Sequence, residues 1–267
     1  MLNLEKAPNP LLRPFVRKLW YCRAPQIPHR RERVLPNGCM QIVLSLSRGY
    51  LTDCGEDGEA NGHLPQAIVA GTRARFEVID TADMDELAGI LFEPGGFAGL
   101  FRERSDLFFG RSIALDDVWT GPPLAERLSE VQEPAAKLAT LDVLLTQLLH
   151  QGSCRSGLVD QALHLFRLRT LTVAGCARSL GVSERRLSQV FSEQVGMGPK
   201  MWCRIRRFQT AVQALYNGAD IPWAELALHC GYYDQSHFAN DFTAFSGINP
   251  TTYSARRGRW QNHVPVL

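Results

Sequence analysis

The 267-residue sequence has no long apolar run: even Leu141 to Leu149 is interrupted by Asp142, Thr146 and Gln147, which excludes a transmembrane helix there and gives no reason to expect a membrane partner. It has no CxxC pair, and no histidine lies at zinc-ligand spacing from two cysteines. Cys22, Cys39, Cys54, Cys154, Cys176, Cys203 and Cys230 are therefore expected to be separate reduced thiols, mostly buried. The seven histidines form no HxH or HExxH motif, and a glycine-rich phosphate loop is missing too. No metal, no cofactor and no enzymatic activity are expected. Met1 to Pro10 lacks the basic start and apolar stretch of a secretory signal, so the chain is expected in the cytoplasm.

A strong excess of one charge is also missing, since 29 Lys and Arg face 27 Asp and Glu. The balance hides an asymmetry. From residue 153 onward there are 13 basic residues against 7 acidic ones, and before it 16 against 20. A basic C-terminal part joined to a mildly acidic N-terminal part fits a polyanion-binding module attached to a domain that avoids polyanions. The length allows two domains, each with its own core.

What is present is an internal repeat with a period of about fifty residues. One copy reads Thr172-Val-Ala-Gly-Cys-Ala-Arg-Ser-Leu-Gly181-Val-Ser183, the other Pro222-Trp-Ala-Glu-Leu-Ala-Leu-His-Cys-Gly231-Tyr-Tyr-Asp234. Ala174 and Ala177 match Ala224 and Ala227, while Leu187, Phe191, Gly196 and Pro199 recur 51 residues later as Phe238, Phe242, Gly247 and Pro250. Each copy predicts a short helix with small residues for close packing, a turn opened by glycine, and a second helix capped by Ser183 or Asp234. That is a helix-turn-helix.

Helical spacing then divides each second helix into faces. Leu187, Val190 and Phe191 share one face, with Arg185, Ser188, Gln189 and Ser192 opposite. In the other copy Phe238, Phe242 and Phe245 form the inward stripe, leaving Gln235, Ser236, Asn240 and Thr243 outside. Arg pairs in bidentate fashion with guanine, and Gln or Asn with adenine, so these outer faces carry the groups that major-groove reading needs. Between the copies, Pro199 to Asn217 reads as one linker helix stopped by Gly218, with Ile205, Phe208, Val212 and Leu215 on its apolar side. Its length of roughly 28 Å approaches the ~34 Å between successive major-groove faces on one side of DNA. Thr172, Lys200, Arg204, Arg206, Thr251 and Thr252 are candidate phosphate contacts.

Over about Gly157 to Arg257 these residues resemble the DNA-binding domain of the AraC/XylS family of transcription regulators, most closely from Ala224 to Tyr253. The resemblance implies that both second helices enter the major groove, with Arg185, Ser188, Gln189, Gln235, Ser236 and Asn240 as base readers. It also marks departures: the family usually has Arg or Lys where Gln189 and Asn240 stand, and often Lys where Thr243 stands. An altered target sequence and fewer phosphate contacts follow.

The N-terminal part reads differently. Gln41 to Ser47, Arg75 to Asp80 and Leu87 to Phe92 are strand-like, Asp53 to Gly62 is a polar hairpin loop, and Glu93-Pro-Gly-Gly96 turns a strand into a helix over Phe97 to Phe101. Leu35-Pro-Asn-Gly-Cys39 and Phe92-Glu-Pro-Gly-Gly-Phe97 resemble an uncharacterised β-rich domain often found before AraC-type modules. That resemblance implies sensing of a small molecule, with Trp20, Tyr21, Phe97, Phe101 and Trp119 as candidate pocket residues and hydrophobic core as the other reading. Leu138, Leu141, Leu145 and Leu148 lie on one face of a helix starting near Pro134, which suits packing on its own domain or pairing with a second copy.

The expected fold is an α+β chain of two domains. Residues 1–150 form a β-rich, cupin-like or related domain with flanking helices, 151–156 a Gly/Ser linker, and 157–257 an all-α domain with helix-turn-helix units at about 172–195 and 222–246, followed by a tail at 258–267. The expected function is a sequence-specific, effector-controlled transcription regulator whose partner is double-stranded DNA. A small-molecule effector, RNA polymerase and a homodimer are further candidate partners. The rival readings are an architectural DNA-binding protein without effector control and an enzyme with a fused DNA-binding module.

Overall fold

The computed structural model describes residues 2–24, 27–168, 171–218 and 221–266. Its N-terminal part is β-rich: β1 (Leu2–Lys6), β2 (Val16–Arg23), β3 (Arg31–Val34), β4 (Gln41–Ser45), β5 (Tyr50–Cys54), β6 (Ala60–Pro65), β7 (Ala67–Ala70), β8 (Glu77–Asp80), β9 (Leu87–Phe92) and, after helix α1 (Gly96–Phe101), β10 (Ser112–Ala114). Helices α2 (Leu124–Ser129) and α3 (Pro134–His150) complete it. The C-terminal part is helical: α4 (Gly157–Leu168), α5 (Val173–Ser179), α6 (Glu184–Val195), α7 (Pro199–Tyr216), α8 (Trp223–His229), α9 (Gln235–Ser246) and α10 (Pro250–Arg256). A last strand, β11 (His263–Val266), ends the described chain.

The main sheet is antiparallel in the order β1-β2-β9-β4-β7-β10. Side chains alternate across it with period two. Leu19 and Tyr21 on β2, Ile42 and Leu44 on β4, and Ala88, Ile90 and Phe92 on β9 join the core beneath α1, α2 and α3. Their neighbours Lys18, Trp20, Cys22, Gln41, Val43, Leu87 and Leu91 face a cavity on the other side. Gly89 sits opposite Trp20 in the register, where a Cβ would lie 2.3 Å from the Trp20 ring. A side chain there would displace the indole. On α3, Leu138, Leu141 and Leu145 are fully packed into this same core, so the leucine stripe serves its own domain.

Two sequence readings change. The tail at 258–267 contains β11, which pairs antiparallel with β3, from His263 opposite Val34 to Val266 opposite Arg31, and makes a three-stranded sheet β11-β3-β8. A four-residue strand paired with residues more than two hundred positions away has no local signature. The linker, read as flexible from its Gly and Ser content, is pinned: the Cys154 amide donates to the Gly99 carbonyl at 2.9 Å, and Arg155 bonds both the Pro14 carbonyl and Asp160.

The two parts share a core. Leu35, Phe76 and Val78 from the β-rich part belong to the same buried cluster as Phe191, Trp202, Phe208 and Phe242. The Leu35–Cys39 motif docks on α7, where the Gln209 side chain donates to the Pro36 carbonyl at 2.8 Å and the Gly38 Cα faces the Trp202 ring.

Candidate nucleic-acid interface

The repeat becomes two local structures with the same order of helix, glycine turn and capped second helix. In the first, the Thr172 hydroxyl accepts from the Gly175 amide at 3.0 Å and starts α5, with Cys176 and Ala177 buried. Gly181, at φ 67°, turns the chain, and the Val182 amide reaches back to the Ala177 carbonyl at 3.0 Å. In the second, Leu226 and Ala227 are the buried pair of α8, Gly231 turns at φ 80°, and the Tyr232 amide reaches the Ala227 carbonyl at 2.9 Å. Of the matched alanines, Ala177 and Ala227 make the close packing, whereas Ala174 is half-buried and Ala224 exposed.

Both second helices start on the expected caps. The Ser183 hydroxyl accepts from the Arg186 amide at 3.2 Å, and an Asp234 carboxylate oxygen from the His237 amide at 2.7 Å. Each cap satisfies one of the unpaired amides at a helix start. Leu187, Phe191 and Val195 face inward from α6, and Phe238, Phe242 and Phe245 from α9. Helix α7 is the spine between them. Trp202 packs edge-on to Phe191 at 5.9 Å and Phe208 against Phe242 at 5.0 Å. Its 18 residues span about 27 Å.

Arg185, Gln189, Gln235, Ser236 and Asn240 are exposed, and Ser188 is half-buried. Gln189 donates to Glu193 one turn later at 3.1 Å, and Glu193 lies 3.7 Å from Arg104 of the β-rich part. Helix α6 thus meets α1 and the turn Ser105–Phe108 of the β-rich part, while Arg185, Arg186 and Gln189 stay exposed.

Two of the candidate phosphate contacts have structural work instead. Arg204 pairs with the buried Asp241 carboxylate at 2.6 Å and lies over the Phe245 ring, and Arg206 donates to the Phe166 carbonyl at 2.8 Å and lies over Trp202. A linker helix that must hold units on both sides uses its arginines for that. Lys200 and Thr251 are exposed, Thr252 is half-buried, and Thr172 acts as the α5 cap.

The β-rich part borders a cavity of about 740 Å³. Of the five aromatic residues read as pocket lining, Trp20 alone borders it. Tyr21 follows Trp20 on a strand and therefore points through the sheet, where its hydroxyl donates to Glu86 at 2.9 Å. Phe97 stacks on Phe101, both on α1, at 4.6 Å, with Phe101 6.1 Å from Trp119. Tyr21, Phe97 and Trp119 are core residues with the half-buried Phe101 packed against them, and the Trp119 indole donates to the Pro122 carbonyl at 2.8 Å. Sequence reasoning missed the cavity's second wall, which comes from Tyr216 on α7 and Trp260 to His263 in the tail. Inside, Asp83 accepts from the Thr52 amide at 2.6 Å, yet burial pushes its carboxyl above the ordinary range.

A family model described as a helix-turn-helix domain matches residues 176–256. The C-terminal part of this chain is an AraC-type helix-turn-helix domain. The AraC-type domain is preceded by a match to a domain of unknown function (DUF6597) over residues 4–114, which spans β2 to β10. Among solved structures, ToxT from Vibrio cholerae shares 11% identity, with 89% of this chain and 97% of that chain covered and a TM-score of 0.51. That likeness is one of fold, a β-rich domain followed by the helical one. The C-terminal domain of AraT, a response regulator from Geobacillus stearothermophilus, is 25% identical over 38% of this chain and 85% of its own, with a TM-score of 0.36. An AraC-type regulator from Chromobacterium violaceum is 24% identical over 38% of this chain and 95% of its own, with a TM-score of 0.33. No curated protein matches the chain. Among the described residues no helix is long and apolar enough to cross a membrane.

Proposed function

We propose that the protein is a sequence-specific, double-stranded DNA-binding transcription regulator that reads two adjacent major-groove segments through α6 and α9. The observation that carries this reading is the paired exposure of Arg185 and Gln189 on one helix and Gln235, Ser236 and Asn240 on its repeat, on helices whose opposite faces bury Leu187 and Phe191 and, in the repeat, Phe238 and Phe242. Side chains of these types match base edges in the major groove. Residues 157–257 make up the DNA-binding part and 1–150 the regulatory part, joined at 151–156.

The regulatory site is the cavity. Its wall combines Trp20, Leu51 and Ile68 from the β-rich part with Tyr216 and Trp260 from the C-terminal part, so a bound small molecule touches both. A volume of this size suits a drug-sized ligand. A ligand held by the folded form raises its melting temperature, so a metabolite library is screened by thermal shift on the full chain. Fragments ending at residue 150 would lack Tyr216 and the tail.

DNA reading is tested by selecting bound duplexes from a random pool and then substituting the readers. Arg185→Ala and Asn240→Ala are each expected to weaken the selected site by about 1–3 kcal/mol while leaving random DNA unaffected. Equal losses on both DNAs would mean that these side chains do not read bases.

A further inference from the structure

The two recognition helices end in the same way and against the same neighbour. Gly196 closes α6 at φ 93° and Gly247 closes α9 at φ 71°, 51 residues apart in the repeat. Between β7 and β8, the segment Thr72-Arg-Ala-Arg-Phe76 lies across both ends. The Thr72 hydroxyl donates to the Gly196 carbonyl at 2.8 Å in a buried setting. At the other end of the segment, the Phe76 amide donates to the Phe245 carbonyl at 2.8 Å, and the Phe76 ring lies so close to Gly247 that a Cβ there would be 2.4 Å from it. A Cβ at Gly196 would likewise come within 2.7 Å of the Thr72 hydroxyl.

The segment is firmly rooted. The Gly71 amide donates to the Arg111 carbonyl and the Gly110 amide to the Thr72 carbonyl, both at 2.9 Å. Arg73 pairs with Glu77 at 2.8 Å and donates to Gly110 and Ser112. A short, anchored segment that touches both recognition helices at repeat-equivalent positions is a gauge block: moving one helix relative to the other breaks a contact at one of its ends.

We propose that residues 72–76 set the placement of α6 relative to α9, so that the β-rich part determines which spacing of two DNA half-motifs the protein accepts. Thr72 and Phe76 are positioning residues in this scheme and touch no base. The inference rests on both helices entering DNA. It goes beyond that reading because a linker helix alone would suffice for two units read independently. Each base pair inserted between half-motifs shifts the second by about 3.4 Å and turns it by roughly 35°, so a rigid pair of readers has a sharp spacing optimum and a loosened pair a flat one.

The test uses the full-length protein and the duplex selected from random DNA, remade with zero to three base pairs inserted or removed between the half-motifs. Thr72→Val and Phe76→Leu are compared with wild type and with Thr72→Ser, which keeps the hydroxyl. The expected result is that Thr72→Val reduces the preference for the optimal spacing by about fivefold, the scale of one lost hydrogen bond, and that Phe76→Leu, which keeps its backbone bond to Phe245 but loses ring contact at Gly247, reduces it in the same direction, with affinity for a single half-motif unchanged and Thr72→Ser like wild type. Unchanged spacing profiles in variants that still melt cooperatively would overturn the proposal, as would a loss equal at every spacing and on the single half-motif. Thr72→Val, nearly isosteric, decides the matter if Phe76→Leu does not fold. If wild type selects two half-motifs but shows no spacing optimum, the positioning proposal fails and base reading stands. If it selects no motif, base reading itself fails.

Discussion

The two helix-turn-helix units share a backbone plan and differ in their surroundings. Cap, turning glycine, buried pair and helix-ending glycine recur at equivalent places. The first unit, however, presses the end of α6 against α1 and the Ser105–Phe108 turn, with Glu193 near Arg104. The second touches the β-rich part through Phe245 and Gly247, and the chain after it returns to that part as β11. A repeat therefore conserves what each unit needs internally, while its place in the chain decides which neighbour it meets. The first unit is held directly by its neighbour, the second through a narrow contact and a returning tail.

The largest effects are expected at the core. Phe191→Ala in the first unit and Phe242→Ala in the second each remove a fully buried ring and are expected to cost about 3–5 kcal/mol by denaturant unfolding. Because both rings belong to one buried cluster, each variant should still unfold in a single transition. Separate transitions for the two units would show that they are energetically independent.

Smaller effects sharpen the difference. Gly247→Ala forces a side chain into a left-handed backbone, a cost of about 1–2 kcal/mol before its clash with Phe76 is counted. Its melting temperature should fall further than that of Gly181→Ala, whose Cβ would meet open space at φ 67°. Removing a cap, Ser183→Ala or Asp234→Ala, is expected to cost about 1 kcal/mol in either unit, and equal losses would confirm that the caps belong to the shared plan.

The tail adds a pH-dependent contrast. Glu32 is buried between His29, at 2.6 Å, and His263 of β11, at 2.7 Å. Burial pushes its carboxyl up, but the hydrogen bonds and charge of His263 and His29 outweigh this and hold it below its ordinary value of 4.5. A carboxyl lowered in the folded state stabilises above its ordinary value, and that contribution is lost as pH falls through the lowered one. Acidification below about 4.5 should thus loosen β11, read as faster amide exchange at His263, Val264 and Val266, and Glu32→Gln should abolish this pH step. The smallest effect is expected at Arg104→Ala: an exposed pair is weak, so melting should be unchanged, with any effect confined to the salt dependence of DNA binding.

Several of these features were legible because they are local. Helical spacing assigned Leu187 and Phe191 to the core and Arg185 and Gln189 to the outside, and capping chemistry placed Ser183 and Asp234, since each depends only on residues within one or two turns. The aromatic reading went astray for the same reason. Aromatic content marks a β-domain's interior but not which side of a sheet a ring faces, and Trp20 and Tyr21, being adjacent, must part company. Arg204 and Arg206 read as available charge until Asp241 and the Phe166 carbonyl were brought beside them.

By itself the sequence determined the α+β division, the duplicated helical unit, its caps and turns, and the AraC-type character of residues 176–256. Those depend on short-range periodicity and on the few residues that a cap or a left-handed turn accepts. Tertiary structure alone decided the return of β11 to β3, the cavity walled by both parts, and the bridge from Thr72 to Phe76 across the ends of α6 and α9. Each joins segments dozens to hundreds of residues apart, and such contacts form when burial of a common core brings the surfaces together, which no local pattern records.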